Sequence, residues 1–330
     1  MFYRRKILLA LVEAFGGSLM RTDCQKLLFL FCLHRGKNYY DFFPYKYGSF
    51  SFLLYHDKNR LIELGYLKSQ DNFQLSEHQT FLSQLRIEDR AALQVLVAEV
   101  GDLSGEKLIR KAYLECPYYA SRSKIASQIL KDAEYEQVRQ TWNIDRSSCL
   151  FTIGYEGLSI DAYLNVLLSN NVAALIDVRK NPISMKYGFS KTKLADYTTK
   201  AGIVYLHIPD LGIPSSLRQD LSSPMAYRKL FDYYFSQILP DQMEAIEKLK
   251  MMLHDHGRVA LTCFEANHQF CHRHKIIEYL ENDPYFNTPV THLNNACTLS
   301  SCVENNVDVS LPPGLWTASN THTLVGSNEL

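Results

Sequence analysis

Up to about residue 140, apolar residues recur mainly at three- and four-residue intervals, the spacing of helices with one buried stripe. Residues 5–15 read as a helix stopped by Gly16-Gly17. Thr22, with Gln25 three positions on, reads as the cap of a second helix carrying Leu27, Leu28, Leu30, Phe31 and Leu33. An aromatic stretch follows, Tyr39 to Gly48, and then Ser49 and Ser51 lead into a third helix, Phe52 to Leu64, ended by Gly65. Tyr66-Leu67-Lys68 and Asn72 to Leu75 alternate around Gln70-Asp71, which predicts a small hairpin. Helices ending in a small hairpin predict a winged-helix arrangement. Further amphipathic helices are expected over 88–100, 103–114 and 121–139, with Pro117 in a break.

Past residue 148 the pattern changes. Short continuous apolar runs appear at Leu150–Ile153, Ala173–Val178, Ile203–Leu206 and Val259–Phe264, the mark of strands buried on both faces. Helical segments separate them: Ser159 to Leu168, Lys191 to Ala201, Tyr227 to Ile238 and Pro240 to His254. A last one carries Ile276, Ile277, Tyr279 and Leu280. This alternation predicts an α/β domain with a mainly parallel, doubly wound sheet, preceded by a helical winged-helix-like domain. The expected division is 1–145, 146–290 and a polar tail over 291–330 rich in Asn, Ser and Thr, with the boundary at Trp142 to Ser148.

Composition narrows the function classes. The chain has 330 residues, enough for two cores, and 35 basic against 35 acidic residues. The two halves differ only by +3 and −3, so no global field marks a bulk nucleic-acid binder. No apolar run reaches membrane-spanning length and no secretory signal is visible, so a cytoplasmic protein with no membrane partner is expected. The eight cysteines are then expected to be free thiols.

The chemistry concentrates where strands end. Gly154-Tyr155-Glu156-Gly157 follows the first strand, Asp177 and Arg179 end the second, and His207 and Asp210 follow the third. Glu265, Cys271, His272 and Arg273 lie between the fourth strand and its helix. Ligands of open α/β sheets bind beyond the carboxyl ends of strands, and a helix start suits an anion. Asp177 and Arg179 share one face of their strand, and Arg179 suits a phosphate. Glu265 is a candidate general base or a partner of Arg179 or Arg273. Cys271 is a candidate nucleophile, since a helix N-terminus and Arg273 favour thiolate, while Glu265 opposes it. Tyr155, Glu156, Arg179, His207, His272 and Arg273 are the candidate anion-binding set, and Glu265, Cys271 and Asp177 the candidate catalytic set. No metal site and no cofactor are expected, because Cys263 and Cys271 form no CxxC pair and no Gly-rich dinucleotide or P-loop pattern occurs.

Four ordered motifs carry a resemblance. Thr152-Ile153-Gly154-Tyr155-Glu156, Asp177-Val178-Arg179, His207-Ile208-Pro209-Asp210-Leu211-Gly212, and Cys263-Phe264-Glu265 with Cys271-His272-Arg273 resemble the domain of unknown function 488 family, over about 150–281. That resemblance implies an α/β domain with its site at these motifs, and a loose association with DNA repair or other nucleic-acid processes, defence included. Gln25 to Leu30, Tyr45 to Ser51 and Asp57 to Leu67 are similar to winged-helix domains of the Panacea and YwgA-like kind, which implies a DNA-facing or protein-partner module over residues 1–145. The aromatic run at 39–47 offers base stacking or a domain interface, with the interface favoured. The expected function is a hydrolase acting on DNA, other nucleic acid or a nucleotide. The rivals are a non-catalytic sensor of modified or damaged DNA and a thiol enzyme acting on a small metabolite.

Overall fold

The computed structural model describes residues 1–68, 71–76, 80–142, 145–218 and 223–293. Most of the tail expected over 291–330 therefore lies outside the described residues. The first domain runs α1 (Tyr3–Ala14), β1 (Ser18–Leu19), α2 (Arg21–Arg35), β2 (Phe43–Tyr45), β3 (Gly48–Phe50), α3 (Phe52–Glu63), β4 (Phe73–Gln74), α4 (Ile87–Val100), α5 (Gly105–Glu115), α6 (Ala126–Ile129) and α7 (Asp132–Gln140). Leu8, Leu11, Leu27, Leu28, Phe31, Leu93 and Leu96 fill its core.

Local chemistry explains where the expected elements shift. Thr22 does not cap α2. The helix starts two residues earlier, at Arg21 after Met20, without a side-chain cap. Ser51 does cap α3, accepting from the Leu54 N–H. The aromatic stretch folds back as the β2–β3 hairpin, Phe43 opposite Phe50, so alternate rings stack on one side. The single helix expected over 121–139 is two, α6 and α7, with Leu130 extended between them. In the expected hairpin, Leu67 bridges Leu75 antiparallel and β4 also pairs with β1, giving a three-stranded patch beside α3. The cysteine expectation holds for Cys24, Cys32, Cys149, Cys263 and Cys271, which are free. Cys116 corrects it, being disulfide-bonded; a bridge depends on geometry that sequence spacing does not express.

The second domain runs β5 (Cys149–Gly154), α8 (Ile160–Ser169), β6 (Ala174–Asp177), α9 (Lys191–Lys200), β7 (Val204–His207), α10 (Pro224–Tyr233), α11 (Met243–His256), β8 (Arg258–Cys263), α12 (Arg273–Glu281) and β9 (Val290–His292). All five strands are parallel, in the order β7-β6-β8-β5-β9. The four strands expected from the apolar runs are all in this sheet. β9 extends it past residue 290, where the tail was expected to begin.

Helices cover both faces. Phe151, Ile153, Leu175 and Ala260 pack with Tyr163, Leu167 and Leu194 of α8 and α9. Leu150, Ala174, Ile176, Val259 and Leu261 pack with Ile246, Leu249, Ile276 and Ile277 of α11 and α12. Burial on both sides is why the strands read as continuous apolar runs. It also places β8, whose chain leaves toward α12, between β5 and β6, whose chains leave toward α8 and α9. That reversal opens a crevice at the carboxyl end of β8, where ligands of such sheets bind.

A cavity and a thiol–imidazole cluster at the sheet's carboxyl end

A cavity of about 370 Å³ occupies this crevice. Tyr155 comes from the end of β5, Arg179 and Lys180 from the end of β6, and Cys263, Phe264 and Glu265 from the end of β8. Arg218 and Ser215 close one side, and Ile183 and Met185 form the lip. Both lip residues are highly exposed, Ile183 at 84% and Met185 fully, so two apolar side chains stand in water at the mouth.

Two glycines let the motif backbones approach. A Cβ on Gly154 would overlap the Glu265 carbonyl, and one on Gly212 would overlap the Lys180 backbone. Gly154 thus fixes how closely β5 meets the Glu265 loop. Gly212 seats the segment after His207 against the end of β6.

Arg179 is held from several sides. Asp177 accepts from its Nε at 2.8 Å and its Nη2 at 2.6 Å, and Nη1 donates to Tyr155 Oη and to the Phe189 carbonyl. The paired carboxylate keeps the guanidinium charged, above even its ordinary range despite burial. Asp177 is fully buried and also accepts from Tyr205 Oη at 2.8 Å. The catalytic expectation for Asp177 is therefore corrected: its oxygens are occupied and face no cavity, because burying Arg179 requires a carboxylate partner. His207 is corrected likewise, its Nε2–H donating to the Arg179 carbonyl at 2.8 Å. Glu156 accepts from the Ala266 N–H at 3.0 Å and braces the Glu265 loop instead of meeting an anion.

Glu265 is on the cavity wall, and its Oε2 is buried without a hydrogen-bond partner among the described residues. Burial, with Cys263 beside it, holds this carboxyl above its usual range. Cys263, Cys271 and His272 meet behind it. His272 Nδ1 lies 3.8 Å from each sulfur, and its Nε2 lies 3.1 Å from the Val178 carbonyl. A carbonyl only accepts, so Nε2 carries a ring proton, and Nδ1 is the ring atom that faces the sulfurs. The hydrogen bond from Cys271 and the adjacent His272 hold the Cys263 thiol well below its usual range, while burial pushes Cys271 well above its own. The nucleophile expectation for Cys271 is corrected by this: burial favours its thiol form, and Cys271 is not among the residues that line the cavity.

Arg273 is 1% exposed and opens α12. Its Nη2 donates to the Ala266 carbonyl at 3.2 Å, and Nε and Nη1 make no hydrogen bond among the described residues. It is not among the residues lining the cavity, so Arg179 and Arg273 do not share one wall as expected. The cations that do line it with Arg179 are Lys180, paired with Asp210 at 3.2 Å, and Arg218. Sequence reasoning missed both. Lys180 directly follows the Asp177-Val178-Arg179 run, whereas Arg218 sits in an irregular loop with no pattern to mark it. The Cys263, Cys271 and His272 set was weighed for metal and set aside for want of a CxxC pair, yet strand, loop and helix bring these side chains, eight and nine residues apart, together.

Among the described residues no helix is long and apolar enough to cross a membrane. No curated protein and no solved structure matches this chain. A family model does match: residues 159–280, which hold Arg179, Glu265 and the Cys271-His272-Arg273 run, match the family described as domain of unknown function DUF488.

Proposed function

We propose that the protein is a hydrolase acting on a nucleotide or nucleic acid, with the β5–β6–β8 cavity as its active site. The observation that carries this reading is Glu265: one carboxylate oxygen, buried and without a hydrogen-bond partner among the described residues, on the wall of a cavity that Arg179, Lys180 and Arg218 also line. Three cations suit an anionic group such as phosphate. Ile183, Met185 and Phe264 at the mouth suit the flat apolar face of a base. Glu265 stands where it can take a proton from an attacking water. Tyr155, Asp177 and His207 hold Arg179 in that wall, and Glu156 holds the Glu265 loop.

The first domain fits the role of a module that positions the second and takes a protein or nucleic-acid partner. Its helices α1 to α3 with the β1–β4 patch beside them support a winged-helix-like reading, and the β2–β3 hairpin between α2 and α3 is an addition to that pattern. The start of α3, the end a recognition helix uses on DNA, is covered by α8. The exposed face of α3 presents His56, Asn59, Arg60 and Glu63, with Arg60 and Glu63 paired, which is not a basic stripe. This weighs against a sensor that reads DNA through α3, and for chemistry at the second domain.

The test is a screen of the purified protein against nucleotides, single- and double-stranded DNA, RNA and base-modified DNA, reading binding and product release together. Turnover of one of these, abolished in Glu265→Gln, is the expected result. Binding with no product from any substrate would favour the sensor. Absence of both would remove the nucleic-acid assignment.

A further inference from the structure

We propose that Cys263, Cys271 and His272 bind one zinc ion, with an open fourth coordination position toward the cavity beside Glu265. The inference does not depend on which substrate the cavity takes.

Geometry is the first argument. A sulfur from each cysteine and a nitrogen from the histidine lie within 4.8 Å of one another. Tetrahedral zinc, with Zn–S of about 2.3 Å and Zn–N of about 2.0 Å, needs S···N edges of about 3.5 Å. Both observed Nδ1···Sγ distances are 3.8 Å, so an ion enters after shifts of a few tenths of an ångström, well within side-chain freedom.

The second argument is the imidazole's orientation. Ligating histidines almost always donate their other ring N–H to a carbonyl or carboxylate, which fixes the tautomer and aims the lone pair. His272 does this with the Val178 carbonyl at 3.1 Å. Its other ring nitrogen, Nδ1, then faces both sulfurs at 3.8 Å, where an ion between them would meet all three atoms. Val178 lies between Asp177 and Arg179, so one strand end fixes both the cationic wall and the ligand histidine.

The third argument is the donor set and its setting. Two sulfurs and one imidazole form a borderline-soft site that suits zinc over hard cations. Three protein ligands with a position left open is the arrangement of catalytic zinc, and a fourth protein ligand is the mark of a structural one. Here the cavity reaches the cluster at Cys263, and Glu265, with its buried unpartnered Oε2, stands on the wall two residues away.

The full chain, expressed with zinc available, is assayed for metal by elemental analysis, and the stripped protein is titrated with cobalt(II). One zinc per chain is expected, with cobalt giving thiolate-to-metal charge transfer and tetrahedral ligand-field bands. Cys263→Ser and His272→Gln should each weaken cobalt binding by about ten- to a hundredfold or more, as loss of a ligand costs at least what loss of its outer-shell partner does. Cys149→Ser, at a free cysteine on the opposite end of β5, should bind as wild type. Glu265→Gln should retain the metal. Wild-type protein that holds less than a tenth of an equivalent and shows no charge-transfer band would overturn the proposal, whatever the variants do. So would a cobalt spectrum unchanged in Cys263→Ser, or a Cys263–Cys271 disulfide in place of metal in protein purified under reducing conditions.

Discussion

Asp161, in the first turn of α8, accepts a hydrogen bond from Ser51 Oγ at 2.7 Å across the boundary between the two domains. The same carboxylate accepts from the Phe52 N–H at 2.7 Å and the Leu53 N–H at 3.0 Å. A side chain of the second domain therefore caps a helix of the first, beside Ser51 itself. Around it Phe52 stacks on Tyr197 at 4.2 Å, Phe43 joins the core over β5, and His56 stacks on Tyr187 at 4.0 Å. Shared aromatic packing and a shared cap make the domains one unit at this seam.

Removing that carboxylate should loosen the seam. Asp161→Ala leaves three donors without their acceptor and should cost about 2–4 kcal/mol, measured by denaturant unfolding near pH 5. Burial pushes the Asp161 carboxyl up to about 7, against the three donors, which pull it down. Between about pH 4 and 7 the unfolded chain has released this proton and the folded chain keeps it. Stability should therefore fall as pH rises through that window, by at most about 1.4 kcal/mol per unit. Asp41 nearby is raised by burial too and has the same sign, so the quantity to read is the slope lost in the variant. An identical slope in Asp161→Ala would place the titration elsewhere.

Lys26 should give the opposite slope. It is 2% exposed, with Nζ donating to the Ser49 carbonyl at 2.7 Å, and burial lowers it to about 7. From there up to its ordinary value near 10.5 the unfolded chain holds a proton that the folded chain has lost. Stability should rise with pH across that window, and Lys26→Met should abolish the rise. Thermal unfolding of both proteins at pH 7, 8 and 9 is the measurement.

Sequence showed the sheet more clearly than the site, and the reason is periodicity. Burial on both faces writes β5, β6 and β8 as unbroken apolar runs, and Ser159 before α8 is a cap with a visible mechanism. β9 is three residues at the sheet's edge, Val290 and His292 half-buried and Thr291 exposed, and carries no such run. The functional residues were legible as a set, but not their partners. Asp177 and Arg179 alternate correctly on one face, yet only the fold shows that they are spent on each other. Cys271 and Arg273 were placed at a helix start, yet both turn into the core, while Lys180 and Arg218 reach the cavity. Direction within a loop depends on backbone geometry that spacing does not encode.

The Asp177–Arg179 pair separates support from catalysis. Asp177→Asn leaves a buried guanidinium without its charge partner and should cost about 3–5 kcal/mol, seen as a large drop in melting temperature. If Asp177 were instead the reacting base, the variant would keep its melting temperature and lose only turnover.

Arg218 and Glu265 test the two halves of the proposed site. Arg218 lines the cavity on the irregular loop after Pro214, so removing it should disturb the fold little. A charge-assisted contact to an anionic ligand is worth about 1.5–3 kcal/mol, so Arg218→Ala should weaken ligand binding by roughly ten- to a hundredfold. Glu265 faces the same cavity, and its Oε2 has no hydrogen-bond partner among the described residues. As a general base, its replacement in Glu265→Gln should lower turnover by about 10²–10⁴ with binding close to wild type. The double variant separates coupled from independent roles. Independent groups lose activity additively in free energy, whereas groups on one reacting anion show an interaction energy of about 0.5–3 kcal/mol. Arg218→Ala that binds every nucleotide and DNA ligand as well as wild type would remove the anionic substrate. Glu265→Gln with full turnover would move the proton acceptor elsewhere in the cavity.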